Sequence, residues 1–119
     1  MNKMLRAAVG SIEGGPWCDV STASYDSVSF SVQSQDIEAQ KVVFSADGTK
    51  MYMLGFDTDS VYQYTLSTAW DLSTASYDSD SFSVSSQDSQ PKSVAFKPDG
   101  TKMYVVGTIN DSVYQYSLC

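Results

Sequence analysis

Short apolar runs recur along the chain, and each is bounded by residues that favour turns. Residues 93–97 and 102–106 are two such runs. Between them, Pro98 fixes φ at the first corner of a type I turn, and Gly100 suits the left-handed position that follows. Two strand-like runs joined by such a turn predict a β-hairpin.

Two further segments extend this hairpin into a larger sheet. Residues 113–118 begin with a Val-Tyr-Gln-Tyr pattern, and residues 77–84 alternate Phe82 and Val84 with serines. A period of two is typical of a strand with one partly solvated face, so residues 77–84 suit the outer edge of a sheet. No stretch follows a helical period, and the pattern therefore predicts an all-β protein.

The whole pattern occurs twice, at an offset of 52 residues. The run DGTKMY, for example, begins at Asp47 and again at Asp99. When residues 21–67 are aligned with residues 73–119 without gaps, 30 of 47 positions are identical. Such similarity predicts nearly the same structure in both copies.

Four antiparallel strands in a repeat of about 50 residues are the signature of a β-propeller blade. We therefore expect an N-terminal tail over residues 1–16 and two blades over residues 17–119. The predicted strands lie within 41–66, with an outer strand at 25–32, and within 93–118, with an outer strand at 77–84.

The second copy also resembles a known family. Its run VAFKPDGTKMYVVGTINDSVYQYSL is similar to the repeats of YVTN-type and lactonase-like β-propellers. The resemblance extends over roughly residues 17–119 and implies the propeller fold. It implies no activity, because the matched residues belong to strands and turns, and no lactonase-type metal or catalytic residue has a counterpart here.

Two blades do not close a ring, since propellers have about four to eight. A chain of two blades exposes two apolar sheet faces, and these favour the association of identical chains into a closed cyclic assembly. Three chains supply six blades, four supply eight and two supply four. We expect a homotrimer, with a tetramer as the next alternative.

The order of the segments predicts how neighbouring chains meet. The outer strand 25–32 precedes the first blade, and no outer strand follows the second, so we expect each chain to lend this strand to its neighbour. The expected inter-chain contacts are Tyr25, Phe30, Val32, Val113, Tyr114, Tyr116, Cys18 and Cys119. Across the junction, Cys18 and Cys119 either form a disulfide or remain two free thiols, and the sequence leaves both alternatives open.

The charge of the chain narrows the choice of partners. Fourteen acidic and seven basic residues give a net charge of −7, and the basic residues are scattered singly. Nucleic acids and anionic membranes are not expected partners, because clustered Lys and Arg recognise them. The apolar run within residues 1–9 is interrupted by Arg6 and is too short for the hydrophobic core of a secretory signal peptide. The cytoplasm is therefore the default expectation for the localisation of the protein.

Catalytic chemistry is restricted by the absence of histidine from the sequence. The commonest general base, and the usual partner of a Ser or Cys nucleophile, is therefore missing, and we expect no enzyme. The two cysteines have no zinc-type spacing, so neither a metal centre nor a cofactor is expected.

Two pairs of acidic residues are the candidate ligands. Asp57 and Asp59 resemble the start of a calcium loop, but no bidentate glutamate follows, and turn stabilisation is the competing interpretation. Asp36 and Asp88 follow the same Ser-Gln dipeptide in the two copies. They either contribute to an acidic ring that captures a cation or a ligand, or each stabilises an Asx-type turn.

Trp17 and Trp70 precede the two outer strands, with a one-residue difference in spacing. An exposed indole in that place suits the face of a sugar ring, whereas a buried one packs between blades. Three functions therefore stay open. They are a binding module for a small molecule, glycan or protein, a structural assembly component without a ligand, and a lactonase-like enzyme, which the missing histidine disfavours.

Overall fold

A computed structural model describes residues 17–119, and the predicted tail at 1–16 lies outside the described residues. The described chain forms two antiparallel sheets, one of four strands and one of three, so the all-β prediction is confirmed. The first sheet contains, in spatial order, β1 (Ala39–Phe44), β2 (Lys50–Gly55), β3 (Ser60–Leu66) and β4 (Ala75–Ser83). The second contains β5 (Pro91–Phe96), β6 (Lys102–Gly107) and β7 (Ser112–Ser117).

The hairpin turns form where the sequence predicts them. The Gly100 N–H donates to the Lys97 carbonyl at 2.8 Å, and the Gly48 N–H donates to the Ser45 carbonyl at 3.0 Å. Both glycines have positive φ, 79° and 76°, a conformation that other L residues rarely adopt. The turns fix the register of β1 on β2 and of β5 on β6 next to each turn, and both registers shift by one residue at the far end of the pair.

The main apolar core lies between the two sheets. Leu54 and Val61 of the first sheet pack there against Val94 and Val105 of the second. All four side chains are buried, and full burial of such a side chain contributes about 1.5–3 kcal/mol. The packing between the sheets therefore holds the two copies together as one unit.

A second apolar cluster lies on the opposite face of the first sheet, around Met51, Met53 and Tyr64. Phe30 and Val32, which precede the first sheet in the chain, pack against this cluster. The Phe30 ring meets the Tyr64 ring edge-on, with 5.6 Å between centroids and an interplanar angle of 81°. This geometry is favourable for two aromatic rings and fixes the segment on the sheet.

The predicted outer strand 25–32 is not a strand within this chain. The corresponding residues of the second copy form β4, which pairs with β3 along its length. No strand in the described range, 17–119, lies beside residues 25–32 to exchange backbone hydrogen bonds with them. A strand needs such a partner, so the local pattern alone does not produce one here.

Candidate assembly interface

The outer edge of the second sheet is open. β3 of the first sheet is paired on both sides, by β2 and β4, whereas its counterpart β7 is paired by β6 alone among the described strands. The consequence is visible at two equivalent valines, because Val61 is 5% exposed and Val113 is 68% exposed. β7 therefore presents unpaired backbone groups next to an apolar side chain.

The outer face of the first sheet is open as well. Val94 on β5 is pressed against the first sheet and is 1% exposed, whereas the equivalent Val42 on β1 is 49% exposed. Phe44, next on the same face of β1, is also exposed. The two ends of the molecule thus expose the surfaces that the interior junction buries.

One residue in the segment 25–32 has the unusual backbone conformation of its equivalent in β4, although no described strand pairs with the segment. Ser79 of β4 has a φ of 62°, and it lies where the register of β4 against β3 shifts at a β-bulge. Ser27, the equivalent residue of the first copy, has a φ of 61°. Positive φ is uncommon for serine, so its recurrence means that the unpaired segment makes the same local turn as the paired one.

The tyrosines expected at an interface have defined positions. Tyr25 is exposed, and the Tyr114 hydroxyl lies 3.0 Å from the Asn110 amide nitrogen, which donates to it. The Tyr116 hydroxyl donates to Gln87 Oε1 at 2.8 Å, and its ring lies edge-on to Phe82 with centroids 5.4 Å apart. Burial, followed by the neighbouring Tyr114, raises the pKa of Tyr116.

Tyr64 is the paired counterpart of Tyr116 in the first sheet and is fully buried. Its hydroxyl donates to Gln35 Oε1 at 3.0 Å, the equivalent of the bond that Tyr116 makes. Burial raises the pKa of Tyr64 to about 12, with smaller contributions from Tyr77, Tyr62 and Asp36. The difference between the two tyrosines follows from the fourth strand, which covers only Tyr64.

The Asp36 carboxylate, although buried, is surrounded by donors from its own loops. It accepts hydrogen bonds from the backbone N–H groups of Glu38, at 2.7 Å, and Thr58, at 2.8 Å, and from the Thr58 hydroxyl at 2.6 Å. Burial acts to raise the pKa of Asp36, but these hydrogen bonds outweigh it and hold the pKa below its ordinary value. The loop bonds favour the turn-stabilising interpretation of this residue.

Asp88 repeats this arrangement in the second copy. Its carboxylate accepts from the N–H groups of Gln90, at 2.8 Å, and Asn110, at 3.0 Å. Gly107 lies against it, and a side chain at this glycine would overlap the carboxylate. Gly55 has the same relation to Asp36, so each loop requires both an aspartate and a glycine.

Asp57 and Asp59 lie in the turn between β2 and β3. Asp57 is exposed, whereas Asp59 has a φ of 53° and a buried Oδ1 that has no hydrogen-bond partner. Burial raises the pKa of Asp59, and the charges of Asp36, Asp57 and Asp88 add to that rise. Residues 17–119 contain no group of three or more Cys, Asp or Glu side chains placed to hold a metal ion.

The two tryptophans have different surroundings. Trp70 packs over Gly48 and lies 5.7 Å from Phe44 between ring centroids, although much of its indole is exposed. Trp17 is almost entirely exposed, and nothing lies within 4 Å above Gly100, the counterpart of Gly48. Cys18 and Cys119 are both free and exposed within one chain.

One cluster of polar side chains joins β4 to β2 and β3, and none of its residues is predicted as a site from the sequence. The Asp78 carboxylate accepts from Gln63 Nε2 and from the Thr65 hydroxyl, each at 2.8 Å. Lys50 Nζ donates to Thr65 Oγ1 and lies 3.6 Å from Asp78. Burial acts to raise the pKa of Asp78, but the bonds from Gln63 and Thr65 and the charge of Lys50 outweigh it and lower the pKa.

A cleft of about 280 Å³ lies between the sheets near the open edge of β7, lined by Tyr52, Phe82, Phe96 and Tyr116.

No helix in the described part of the chain is long and apolar enough to cross a membrane. Comparison of the chain with protein-family models, with curated proteins and with solved structures finds no match.

Proposed function

We propose that this chain is a self-assembling β-propeller component that acts as a binding or interaction module. Each chain supplies two blades, and the first sheet of one chain packs on the second sheet of the next. Residues 25–32 of one chain complete the open sheet of its neighbour. The single observation that carries the proposal is the matched exposure of repeat-equivalent residues, Val42 against Val94 and Val113 against Val61.

Identical copies are the occupants that fit these faces best. The interior junction joins one copy of the repeat to the next, and 30 of 47 aligned positions are identical between them. A neighbouring chain therefore offers the outer faces nearly the same side chains that bury Val94 and Val61 within one chain. A heterologous interface of this kind closes into a ring when the rotation per subunit divides a full turn.

Three chains give the six-bladed ring that we favour, and four chains give an eight-bladed one. By the 52-residue offset, Cys119 of one chain is expected to end three residues before the position of Cys18 of the next. We expect the thiols of neighbouring chains to lie within about 12 Å of each other. A disulfide would then appear as a covalent ladder on non-reducing electrophoresis of oxidised protein.

A binding role follows from the ring, whose loops and axis present the surfaces that propellers use for ligands. A structural component without a ligand is the second candidate, and one observation favours it. The Asp36 and Asp88 carboxylates are already occupied by donors of their own loops, which leaves little capacity for a cation. An enzyme is the least favoured, since the sequence has no histidine.

Light scattering coupled to size exclusion tests the assembly. A trimer of the 13.0 kDa chain has a mass of about 39 kDa, three times that of the chain. A tetramer would change only the number of blades. A chain that is folded and monomeric at micromolar concentration would show that copies of this chain do not cover the faces, and the ring would be wrong.

A further inference from the structure

We infer that Asp26 of one copy binds Lys102, Gln115 and Ser117 of the next, and that this polar clamp sets the register of the exchanged strand. The inference rests on the proposed assembly and adds to it a specific recognition element. Asp26 is exposed within its own chain, and it is the repeat equivalent of Asp78.

The template is the clamp within the first sheet. Asp78 on β4 receives hydrogen bonds from Gln63 and Thr65 on β3 and pairs with Lys50 on β2. One carboxylate therefore ties the fourth strand to the two strands beside it. Hydrogen bonds to an ionised acceptor are stronger than neutral ones, and three donors from two strands specify one alignment of β4.

The second sheet contains all the donors of this clamp and lacks its acceptor. Gln115 is identical to its counterpart Gln63, Lys102 is identical to Lys50, and Ser117 keeps the hydroxyl of Thr65. Lys102 Nζ already donates to Ser117 Oγ at 2.7 Å, as Lys50 does to Thr65. The donors are thus in place for a carboxylate at the open edge of β7.

Residues 23–31 are the repeat equivalents of β4 and contain the matching acceptor, Asp26. In the first sheet, Tyr64 pairs with Tyr77 and Val61 pairs with Phe82, on either side of the β-bulge. The 52-residue offset converts these pairs into Tyr116 with Tyr25 and Val113 with Phe30 of the neighbouring chain.

Ser27 has the same positive φ as Ser79 and is the direct neighbour of Asp26. At this bulge the register of β4 shifts by two residues, since Gln63 pairs with Asp80 and Tyr64 pairs with Tyr77, and a bulge re-aims the side chains near it. Since the unpaired segment already has this turn, docking it on β7 places Asp26 where Asp78 stands on β3. This agreement of backbone and donors selects a second copy as the occupant of the edge.

Charge reversal tests the clamp on the full chain. Asp26→Lys opposes two ammonium groups across the junction, as Lys102→Asp opposes two carboxylates, and each is expected to weaken assembly by on the order of tenfold or more. The double variant Asp26→Lys with Lys102→Asp restores an opposite pair and is expected to recover most of the loss. Sedimentation over a range of concentrations gives the midpoint, and thermal unfolding checks that each variant is folded.

Glu38→Lys is the matched control, because it makes the same change of charge at an exposed loop residue outside the clamp. Its assembly midpoint is expected to stay within about twofold of the parent protein. If the parent assembles and Asp26→Lys assembles equally well, the clamp is overturned while the ring stands. Loss without recovery in the double variant also overturns it, and a parent that never assembles overturns both proposals.

Mixing the two single variants adds a readout of ring size. Each variant has a repulsive contact with itself and an attractive contact with the other, so only alternating rings avoid repulsion. An alternating ring requires an even number of chains. Full recovery on mixing is therefore expected of a dimer or tetramer, whereas a trimer recovers in the double variant and only partly in the mixture.

Discussion

The interior junction and the two ends of the molecule are built from the same side chains in different surroundings. At the junction, Val61 and Val94 are buried where the sheets meet, whereas their equivalents at the ends are exposed, Val113 for the most part and Val42 by about half. Both members of each pair are valine, so the difference in burial comes only from what lies beside each side chain. Burial in this chain is therefore a property of neighbours, and the ends lack the neighbours that the junction has.

Substitutions at the equivalent valines, Val94 and Val42, are expected to have the largest effects on stability and on assembly. Val94→Asp is expected to lower the free energy of unfolding by about 3–5 kcal/mol, because it buries an unpaired carboxylate between the sheets. Val42→Asp is expected to change the stability of a single chain by about 0.5 kcal/mol or less and to abolish assembly. Denaturant unfolding and light scattering measure the two effects separately.

Two results with these variants would contradict the difference between the junction and the ends. If Val42→Asp assembles as the parent does, the open face of the first sheet is not covered in solution. If Val42→Asp destabilises the chain as strongly as Val94→Asp does, the chain is stable only as an assembly. A variant at an exposed turn residue, Asp57→Asn, serves as the control for changes that touch neither face.

The loop aspartates are expected to have a smaller effect that is similar at both positions. Asp36 and Asp88 are buried in both copies, since each is enclosed by its own loop and not by the neighbouring sheet. Replacing either by alanine leaves backbone N–H groups without partners and is expected to lower the free energy of unfolding by about 2–4 kcal/mol. Asp36→Ala is expected to cost slightly more, because Asp36 also binds the Thr58 hydroxyl.

Thermal unfolding of the two variants provides the measurement. Nearly equal losses mean that local loop geometry determines this contribution. A loss confined to Asp36→Ala would mean that the second copy tolerates an open loop, and the comparison would then extend from the sheet faces to the loops. The asparagine variants are expected to lose less than the alanine variants, since Asn retains one of the two oxygen acceptors but turns an NH2 group towards the donors of the other.

The parts of this structure that sequence predicts are those set by residues next to one another. Pro98 and Gly100 predict the hairpin turn, because the requirement for φ belongs to those residues themselves. The bulge at Ser79 is different, because a period-two pattern carries no sign of the place where the register of β4 against β3 shifts. The clamp around Asp78 depends on that bulge, so the same pattern does not reveal it.

The glycines beside the loop aspartates are an intermediate case. Gly55 and Gly107 recur at the end of an equivalent strand, each 19 residues after Asp36 or Asp88. A repeated glycine at a strand end signals a close approach of the backbone to another group. The group that approaches it becomes known only once the strands have been paired in space.

Lowering the pH is expected to reduce the stability of both copies by similar amounts. Hydrogen bonds from the Thr49 backbone and hydroxyl lower the pKa of Asp47 to about 2, and those from the Thr101 hydroxyl and backbone lower the pKa of Asp99 to about 2. Because the folded pKa lies below the unfolded one, this contribution to stability is present above a pH of about 4 and is lost as the pH falls towards about 2.

Unfolding midpoints between pH 2 and pH 7 measure this loss. In Asp47→Asn and Asp99→Asn, the decline below a pH of about 4 is expected to be shallower than in the parent, by a similar amount in each. A much larger change in one variant would show that the two hairpins differ in spite of their matched turns. A parent whose stability is unchanged down to pH 2 would contradict the assignment of these carboxylates.

The smallest expected effect is a gain in stability at Asp59. Its carboxylate is partly buried, one oxygen has no partner, and the charges of Asp36 and Asp88 act on it from both copies. Because burial and these charges raise its pKa, folding disfavours the ionised form, and this penalty is present at neutral pH, declines as the pH falls through the folded pKa and disappears below the unfolded one. Asp59→Asn removes the charge, and asparagine accepts the left-handed φ of 53° readily. We expect the free energy of unfolding to rise by about 0.5–1 kcal/mol at pH 7, and the gain to shrink at pH 4.

Asp111→Asn is the control at the open end, since Asp111 has nearly the same φ, 52°, but is exposed, and its expected change is smaller. A loss of stability in Asp59→Asn alone would mean that this carboxylate holds its turn, and the crowding of acidic residues at the junction would then be no liability.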